Sequence, residues 1–103
     1  MGERVRVASL AEVPPAAGRP VQVNGRAVAI FNVDGIIYAI DGTCTHRGGP
    51  LGEGELVGNV VTCPWHGARF DVTTGAVLGP PAPQGVTPYR VTVEGDAIFV
   101  ELA

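Results

Sequence analysis

Short apolar runs rich in Val and Ile follow one another along the chain, and most of them end at Gly, Pro or an Asn-Gly-type pair. Asn24-Gly25 and Asp34-Gly35 each stand between two such runs. Two residues of this kind between apolar runs are typical of a tight β-hairpin, because both tolerate positive φ. No pattern with a helical period persists over the length of an ordinary helix. The sequence therefore predicts an all-β fold of short antiparallel strands.

The apolar runs predict about nine strands and one helical turn. The turn is predicted from Ser9 and Glu12, whose spacing resembles a capping box, and Pro14 and Pro15 would end it. We expect a single domain over residues 1–103, in which an insert at about 41–79 interrupts a base formed by 1–40 and 80–103. The predicted strands lie at residues 4–8, 21–23, 26–33, 36–40, 57–62, 68–72, 76–78, 86–93 and 97–102.

Length and charge restrict the possible functions. A chain of 103 residues corresponds to one domain. The net charge of −3 and the complete absence of Lys argue against a nucleic-acid partner, which needs a basic face. No apolar run approaches the ~20 residues of a membrane span, and the N-terminus does not resemble a secretory signal. We therefore expect a cytoplasmic protein that binds neither nucleic acid nor membrane.

Both Cys and both His of the chain fall between positions 44 and 66, in two clusters of one Cys and one His each. Cys44-x-His46 is followed after sixteen residues by Cys63-x-x-His66, and both clusters are flanked by Gly. Two thiolates and two imidazoles form a complete set of four soft-to-borderline metal ligands. A structural zinc site is one reading, although zinc sites usually pair Cys with Cys and His with His. Because no secretory signal is visible, a disulfide is not expected.

The two motifs resemble the cluster-binding loops of Rieske [2Fe–2S] proteins. The resemblance covers most of the chain, including the Phe-Asp-x-x-Thr-Gly turn at 70–75 and the Gly-Pro-Pro loop at 79–81. It implies a Rieske-type antiparallel β-sandwich, with the insert at 41–79 as a cluster-binding subdomain on two loops. It also implies one [2Fe–2S] cluster, with Cys44 and Cys63 on one iron and His46 and His66 on the other.

The resemblance also implies a set of residues around the cluster. Trp65 either belongs to a core or, between two ligands, shields the cluster. Respiratory and photosynthetic members carry a disulfide at the positions of Gly49 and Trp65, so this chain departs from that branch and resembles the soluble, low-potential branch. The expected surrounding residues are Arg47, Gly48, Trp65, Gly67, Ala68, Phe70 and, in a third, non-ligating loop, Pro81.

Several polar residues near these loops have two readings. Arg47 and Arg69 are either solvated or in contact with a partner. Glu53 and Glu55 either belong to a polar loop or dock a basic partner near the cluster. The two tyrosines, Tyr38 and Tyr89, are expected in the core or on a sheet face.

The resemblance favours a ferredoxin similar to those of bacterial ring-hydroxylating dioxygenases. It would carry single electrons from a flavin-dependent ferredoxin reductase to a terminal oxygenase and would not itself be an enzyme, since 103 residues leave no room for a catalytic domain. A small carrier that docks twice is expected to be a monomer. One alternative is the small Rieske subunit of an NAD(P)H-dependent assimilatory nitrite reductase, and another is a carrier for some other oxidoreductase.

Overall fold

Ten strands and two short 3-10 turns form the protein in a computed structural model, which describes residues 3–44, 49–65, 67–79 and 84–102. In that part of the chain, no helical segment has the length and apolar character needed to cross a membrane. The 3-10 turns are Leu10–Glu12 and Leu51–Glu53. The strands are β1 (Glu3–Ser9), β2 (Gly18–Val23), β3 (Arg26–Val33), β4 (Ile36–Asp41), β5 (Glu55–Val57), β6 (Val60–Thr62), β7 (Arg69–Asp71), β8 (Val77–Gly79), β9 (Pro88–Glu94) and β10 (Ala97–Leu102).

The strands form two antiparallel sheets, which confirms the predicted all-β class. One sheet has the order β1-β10-β9-β4-β3-β2, and the other has the order β5-β6-β7-β8. Both predicted hairpins are present: β2 turns into β3 at Asn24 and Gly25, and β3 turns into β4 at Asp34 and Gly35. All four turn residues have positive φ, between 51° and 93°. The expected helical turn is also present, and the Ser9 N–H donates to Glu12 Oε1 at 2.8 Å.

The predicted strand at 57–62 is wrong. The segment is a hairpin in which β5 and β6 pair antiparallel, with Val57 opposite Val60. Gly58 and Asn59 form the turn, and Gly58 has a φ of +61°. Positive φ at glycine reverses the chain there at little steric cost, even though the flanking valines read as one continuous apolar run. The second 3-10 turn was not predicted, and β9 begins two residues later than expected, at Pro88.

Strand β3 is buried on both faces and separates two cores. Val28 and Ile30 face one core, which we call the sheet core, while Ala29 and Phe31 face a second core, which we call the site core. All four are fully buried, which explains why β3 reads as a continuous apolar run instead of an alternating one. The site core contains Ala29, Phe31, Ile40, Cys44, Leu51, Leu56, Val61, Cys63, Ala68, Phe70, Val72 and Val86.

Candidate metal centre

The first cysteine lies in a loop that continues the ladder of β4. The Leu51 N–H donates to the Gly42 carbonyl at 2.9 Å, and the Cys44 N–H donates to the Gly49 carbonyl at 2.9 Å. The first bond joins the two ends of the loop, and the second joins the cysteine itself to the returning strand of the loop. Cys44 is therefore positioned by strand-like pairing between residues 42–44 and residues 49–51.

The second cysteine follows β6 directly and begins a tight turn into β7. The Cys63 N–H donates to the Ala68 carbonyl at 2.7 Å, and the Gly67 N–H donates to the Cys63 carbonyl at 3.1 Å. Gly67 has a φ of +79°, a conformation that glycine adopts without strain. The β6–β7 hairpin thus presents Cys63 at its tip, in the way that β4 presents Cys44.

The two loops pack against each other through Gly49. A Cβ built on Gly49 would lie 2.5 Å from Cys63 Sγ and 3.2 Å from Trp65 Cγ, so the bare Cα faces both side chains. Trp65 is 56% exposed, which rules out the reading of this residue as core. Positions 49 and 65 are those at which respiratory members carry a disulfide. Their contact here supports transferring the family's loop pattern residue by residue.

Both cysteine side chains are buried in the site core, each only 3% exposed, and neither forms a disulfide. A thiolate in such an apolar setting is unfavourable unless a cation compensates its charge. A pair of buried sulfurs on facing loops therefore fits the cysteine half of a metal cluster. The other expected ligands, His46 and His66, lie outside the described residues, as do Arg47, Gly48 and Pro81.

Two of the expected surrounding residues are fully buried beside the cysteines. Ala68 and Phe70 have no exposed surface, and both belong to the site core with Cys44 and Cys63. Neither side chain carries a hydrogen-bond donor. Arg69 points the other way: it is exposed, and its Nε lies 3.1 Å from the position of a Cβ on Gly79, so its guanidinium covers the bare backbone of β8.

A turn at residues 71–75 follows β7 and connects the Cys63 loop to residue 86, which lies just before β9. Asp71 Oδ1 accepts hydrogen bonds from the Thr73 hydroxyl at 2.6 Å and the Thr73 N–H at 2.8 Å. The Thr73 hydroxyl is the main reason that the pKa of Asp71 lies below its usual value. The turn ends at Gly75, whose carbonyl accepts from the Val86 N–H at 2.8 Å. This hydrogen bond connects residue 86 to the turn that follows the Cys63 loop.

A polar network at the start of the insert was not foreseen. Tyr89 donates its hydroxyl hydrogen to Asp41 Oδ1 at 2.6 Å and accepts a hydrogen bond from Arg26 Nη1 at 3.2 Å. Tyr89 is half-buried, consistent with the expected sheet-face position, and Tyr38 packs against the site core. The sequence marks this network only through Asp41, a charged residue directly after the apolar run of β4.

The rest of the described chain offers no competing metal site. Within residues 3–44, 49–65, 67–79 and 84–102, no three or more His, Cys, Asp or Glu side chains come together as metal ligands would. A groove of about 310 Å³ runs beside the first loop, but none of its lining side chains is charged. The groove is lined by Pro20, Val21, Gln22, Ala27, Val28, Gly42, Thr43 and Pro50.

Comparison with known proteins agrees with this geometry. The chain is 38% identical over 95 residues to the ferredoxin component of a naphthalene 1,2-dioxygenase system of Pseudomonas aeruginosa, covering 92% of this chain and 91% of the relative. Its fold matches the ferredoxin of carbazole 1,9a-dioxygenase from Nocardioides aromaticivorans IC177 with a TM-score of 0.89, at 34% identity over 94% of this chain and 95% of that chain.

A second solved structure is a complex of reduced oxygenase and oxidized ferredoxin in carbazole 1,9a-dioxygenase. The match has a TM-score of 0.88 and 31% identity, covering 95% of this chain and 92% of that chain. The sequence model that defines the Rieske [2Fe–2S] domain matches residues 3–90, a span that includes both cysteine loops. This chain therefore belongs to the Rieske [2Fe–2S] family, which confirms the expectation drawn from its two ligand motifs.

Proposed function

We propose that this chain carries single electrons from a flavin-dependent ferredoxin reductase to a terminal oxygenase. The observation that carries the proposal is the pair of buried cysteines on facing loops, in a chain similar along almost its full length to dioxygenase ferredoxin components. The family assignment confirms the expected Rieske-type [2Fe–2S] cofactor. The protein is a redox component and not a catalytic subunit. We further propose that it acts in the cytoplasm as a monomer.

In this proposal Cys44 and Cys63 hold one iron, and His46 and His66 hold the other. When bound, such a cluster supplies a one-electron couple, whose potential lies at roughly −150 to +300 mV because two imidazoles replace two thiolates. The described residues contribute burial of the sulfurs and fixed loop geometry. The exposed indole of Trp65, against Gly49, covers the Cys63 side of the site.

Spectroscopy and reconstitution test the proposal together. The purified protein should be reddish-brown and should give a Rieske-type electron paramagnetic resonance signal after reduction with dithionite. It should also be reduced by NADH and a ferredoxin reductase and then support turnover of a terminal oxygenase. A colourless protein containing one zinc would contradict the cofactor. A coloured protein that serves only a nitrite reductase large subunit would contradict the partner.

Charge reversal at Glu53 and Glu55 tests docking near the site. Both side chains are exposed, and Glu55 lies opposite Thr62, the residue before Cys63. If they meet a basic face of the oxygenase, the double variant Glu53→Lys/Glu55→Lys should slow association at low salt by about ten-fold. Stopped-flow electron transfer at several ionic strengths is the measurement. The control is Glu94→Lys/Asp96→Lys, where β9 turns into β10, which changes the net charge by the same amount. An equal effect there would show that net charge, and not a docking site, explains the slower association.

Hydroxyl groups introduced at Ala68 and Phe70 should raise the reduction potential. Higher-potential Rieske proteins carry Ser and Tyr at these positions, where the hydroxyls donate to sulfur. Such donors stabilise the more negative, reduced state. One neutral hydrogen bond contributes about 0.5–1.5 kcal/mol, or roughly 20–65 mV for one electron. We expect Ala68→Ser and Phe70→Tyr each to raise the midpoint by tens of millivolts, nearly additively.

Protein-film voltammetry measures these midpoints. Ala8→Ser makes the same chemical change at a buried position of the sheet core, on β1, and should leave the midpoint unchanged. Midpoints of both loop variants within about 10 mV of the unsubstituted protein, well below the range expected for one hydrogen bond, would contradict this explanation of the potential.

A further inference from the structure

The chain enters and leaves the site region at a seam between β4 and β9. Asp41 is the last residue of β4, and Thr87 immediately precedes β9. The Asp41 N–H donates to the Thr87 carbonyl at 2.9 Å, and the Thr87 N–H donates back to Asp41 Oδ2 at 3.3 Å. A carboxylate oxygen therefore takes the place of a backbone carbonyl in this ladder.

The ladder between β4 and β9 at this seam is short. Besides the contact of Asp41 with Thr87, β4 and β9 are in register at two positions, Ala39 with Tyr89 and Ile40 with Pro88. Asp41 and Thr87 form a hydrogen-bonded pair, so the next pair, Ile40 with Pro88, is one of the pairs of an antiparallel ladder that exchange no backbone hydrogen bonds. The Asp41 side chain adds a second hydrogen bond, from the N–H of the residue that precedes β9, at the end of this short ladder.

Two further side chains fix the Asp41 carboxylate. Its Oδ1 accepts from the Tyr89 hydroxyl at 2.6 Å, and Arg26 Nη1 lies 3.2 Å from the same hydroxyl and 4.0 Å from Oδ1. The carboxylate is 27% exposed, so solvent screens these contacts only in part. Burial first, and then the bond to Asp41, raise the pKa of Tyr89, in keeping with a neutral hydroxyl that donates to the carboxylate. We call Arg26, Asp41, Thr87 and Tyr89 the seam network.

The seam network connects directly to both cysteine loops. On one side, Gly42 follows Asp41 and accepts from Leu51, which closes the base of the Cys44 loop. On the other side, Val86 precedes Thr87 and donates to Gly75, at the end of the turn that follows the Cys63 hairpin. A displacement at Asp41 would therefore shift the first loop relative to the second.

We propose that Asp41 is a positioning residue for the cluster: through the seam network, it keeps the Cys44 loop in register with the segment that braces the Cys63 loop. The proposal rests on the ligand roles given above to Cys44 and Cys63. It assigns to Asp41 no contact with the cluster. Its effect is to hold the two sulfurs in one fixed relative position.

Iron release from the cluster-loaded protein is the test. Asp41→Ala should speed iron release to a chelator by about ten-fold or more, since ten-fold corresponds to about 1.4 kcal/mol, close to the lower value for one hydrogen bond to a charged group. It should also broaden or shift the electron paramagnetic resonance signal. Asp41→Asn keeps one acceptor oxygen and should restore part of the slow release. Tyr89→Phe removes one donor and should have a smaller effect than Asp41→Ala.

The matched control is Glu94→Ala at the other end of β9. It removes a carboxylate paired with an arginine, the Arg4–Glu94 pair at 2.6 Å, without touching the seam. It should leave iron release and the spectrum unchanged. Equal acceleration by Glu94→Ala, or wild-type release and spectra in Asp41→Ala, would overturn the proposal. If Asp41→Ala fails to fold, Asp41→Asn and Tyr89→Phe are compared with the same control.

The iron-release experiment tests the role of Asp41 independently of the proposed function. Iron content and colour of the unsubstituted protein test the cofactor before any variant is made, and reconstitution with reductase and oxygenase tests the partners. A cluster-loaded protein that fails to serve an oxygenase would contradict the proposed partners, while the release rates would still decide the role of Asp41.

Discussion

Cys44→Ser and Cys63→Ser should each abolish stable binding of the [2Fe–2S] cluster. Both side chains are 3% exposed in the site core, so no solvent ligand can easily replace a lost sulfur. Serine has nearly the same size but remains a neutral hydroxyl at neutral pH, and it does not supply the thiolate charge that compensates ferric iron. Because metal binding and the ordering of a metal loop are coupled, the loops should lose order together with the iron.

Iron and acid-labile sulfide per chain, after anaerobic reconstitution, measure this effect. Ala68→Ser is the matched control, since it places the same hydroxyl in the same loop and leaves both sulfurs in place. It should bind iron and sulfide like the unsubstituted protein. Full cluster content in either cysteine variant would show that the ligand assignment is wrong.

Gly75→Ala should have the second-largest effect. Gly75 has a φ of +81°, and a Cβ at this position would collide with the Val86 backbone carbonyl. The left-handed conformation costs an L-residue about 1–2 kcal/mol, and forcing the 85–86 segment away adds about 1–3 kcal/mol by analogy with overpacking. The backbone cannot relieve this clash by a change of rotamer, and the displaced segment leads directly to Thr87 and the seam network.

Gly25→Ala separates the two contributions. Gly25 has a φ of +82°, almost the same as Gly75, but nothing lies within 4 Å of the position that its Cβ would take. It should lose only the conformational part, whereas Gly75→Ala should lose roughly twice as much free energy of unfolding or more. Urea unfolding of the loaded proteins measures both, and equal losses would mean that the contact with Val86 contributes nothing.

The sequence predicted what depends on residues close together in the chain. The hairpins at Asn24-Gly25 and Asp34-Gly35 and the paired cysteine motifs each lie within a short window. The hairpin at Gly58 was missed because valines on both sides of the turn hide the reversal. The hydrogen bond from Tyr89 to Asp41 joins residues 48 positions apart, and no local pattern marks such a partner. The two histidines lie outside the described residues, so their roles stay a prediction.

The two faces of β3 also bear on the order in which the protein matures. The sheet core contains neither cysteine and draws its residues from segments outside the site loops, with Val28 and Ile30 contributed by β3. We therefore expect the nascent apoprotein to form this core before any iron arrives. The opposite face of the same strand, with Ala29 and Phe31, is then already in place as a surface on which the loops settle when the metal is inserted.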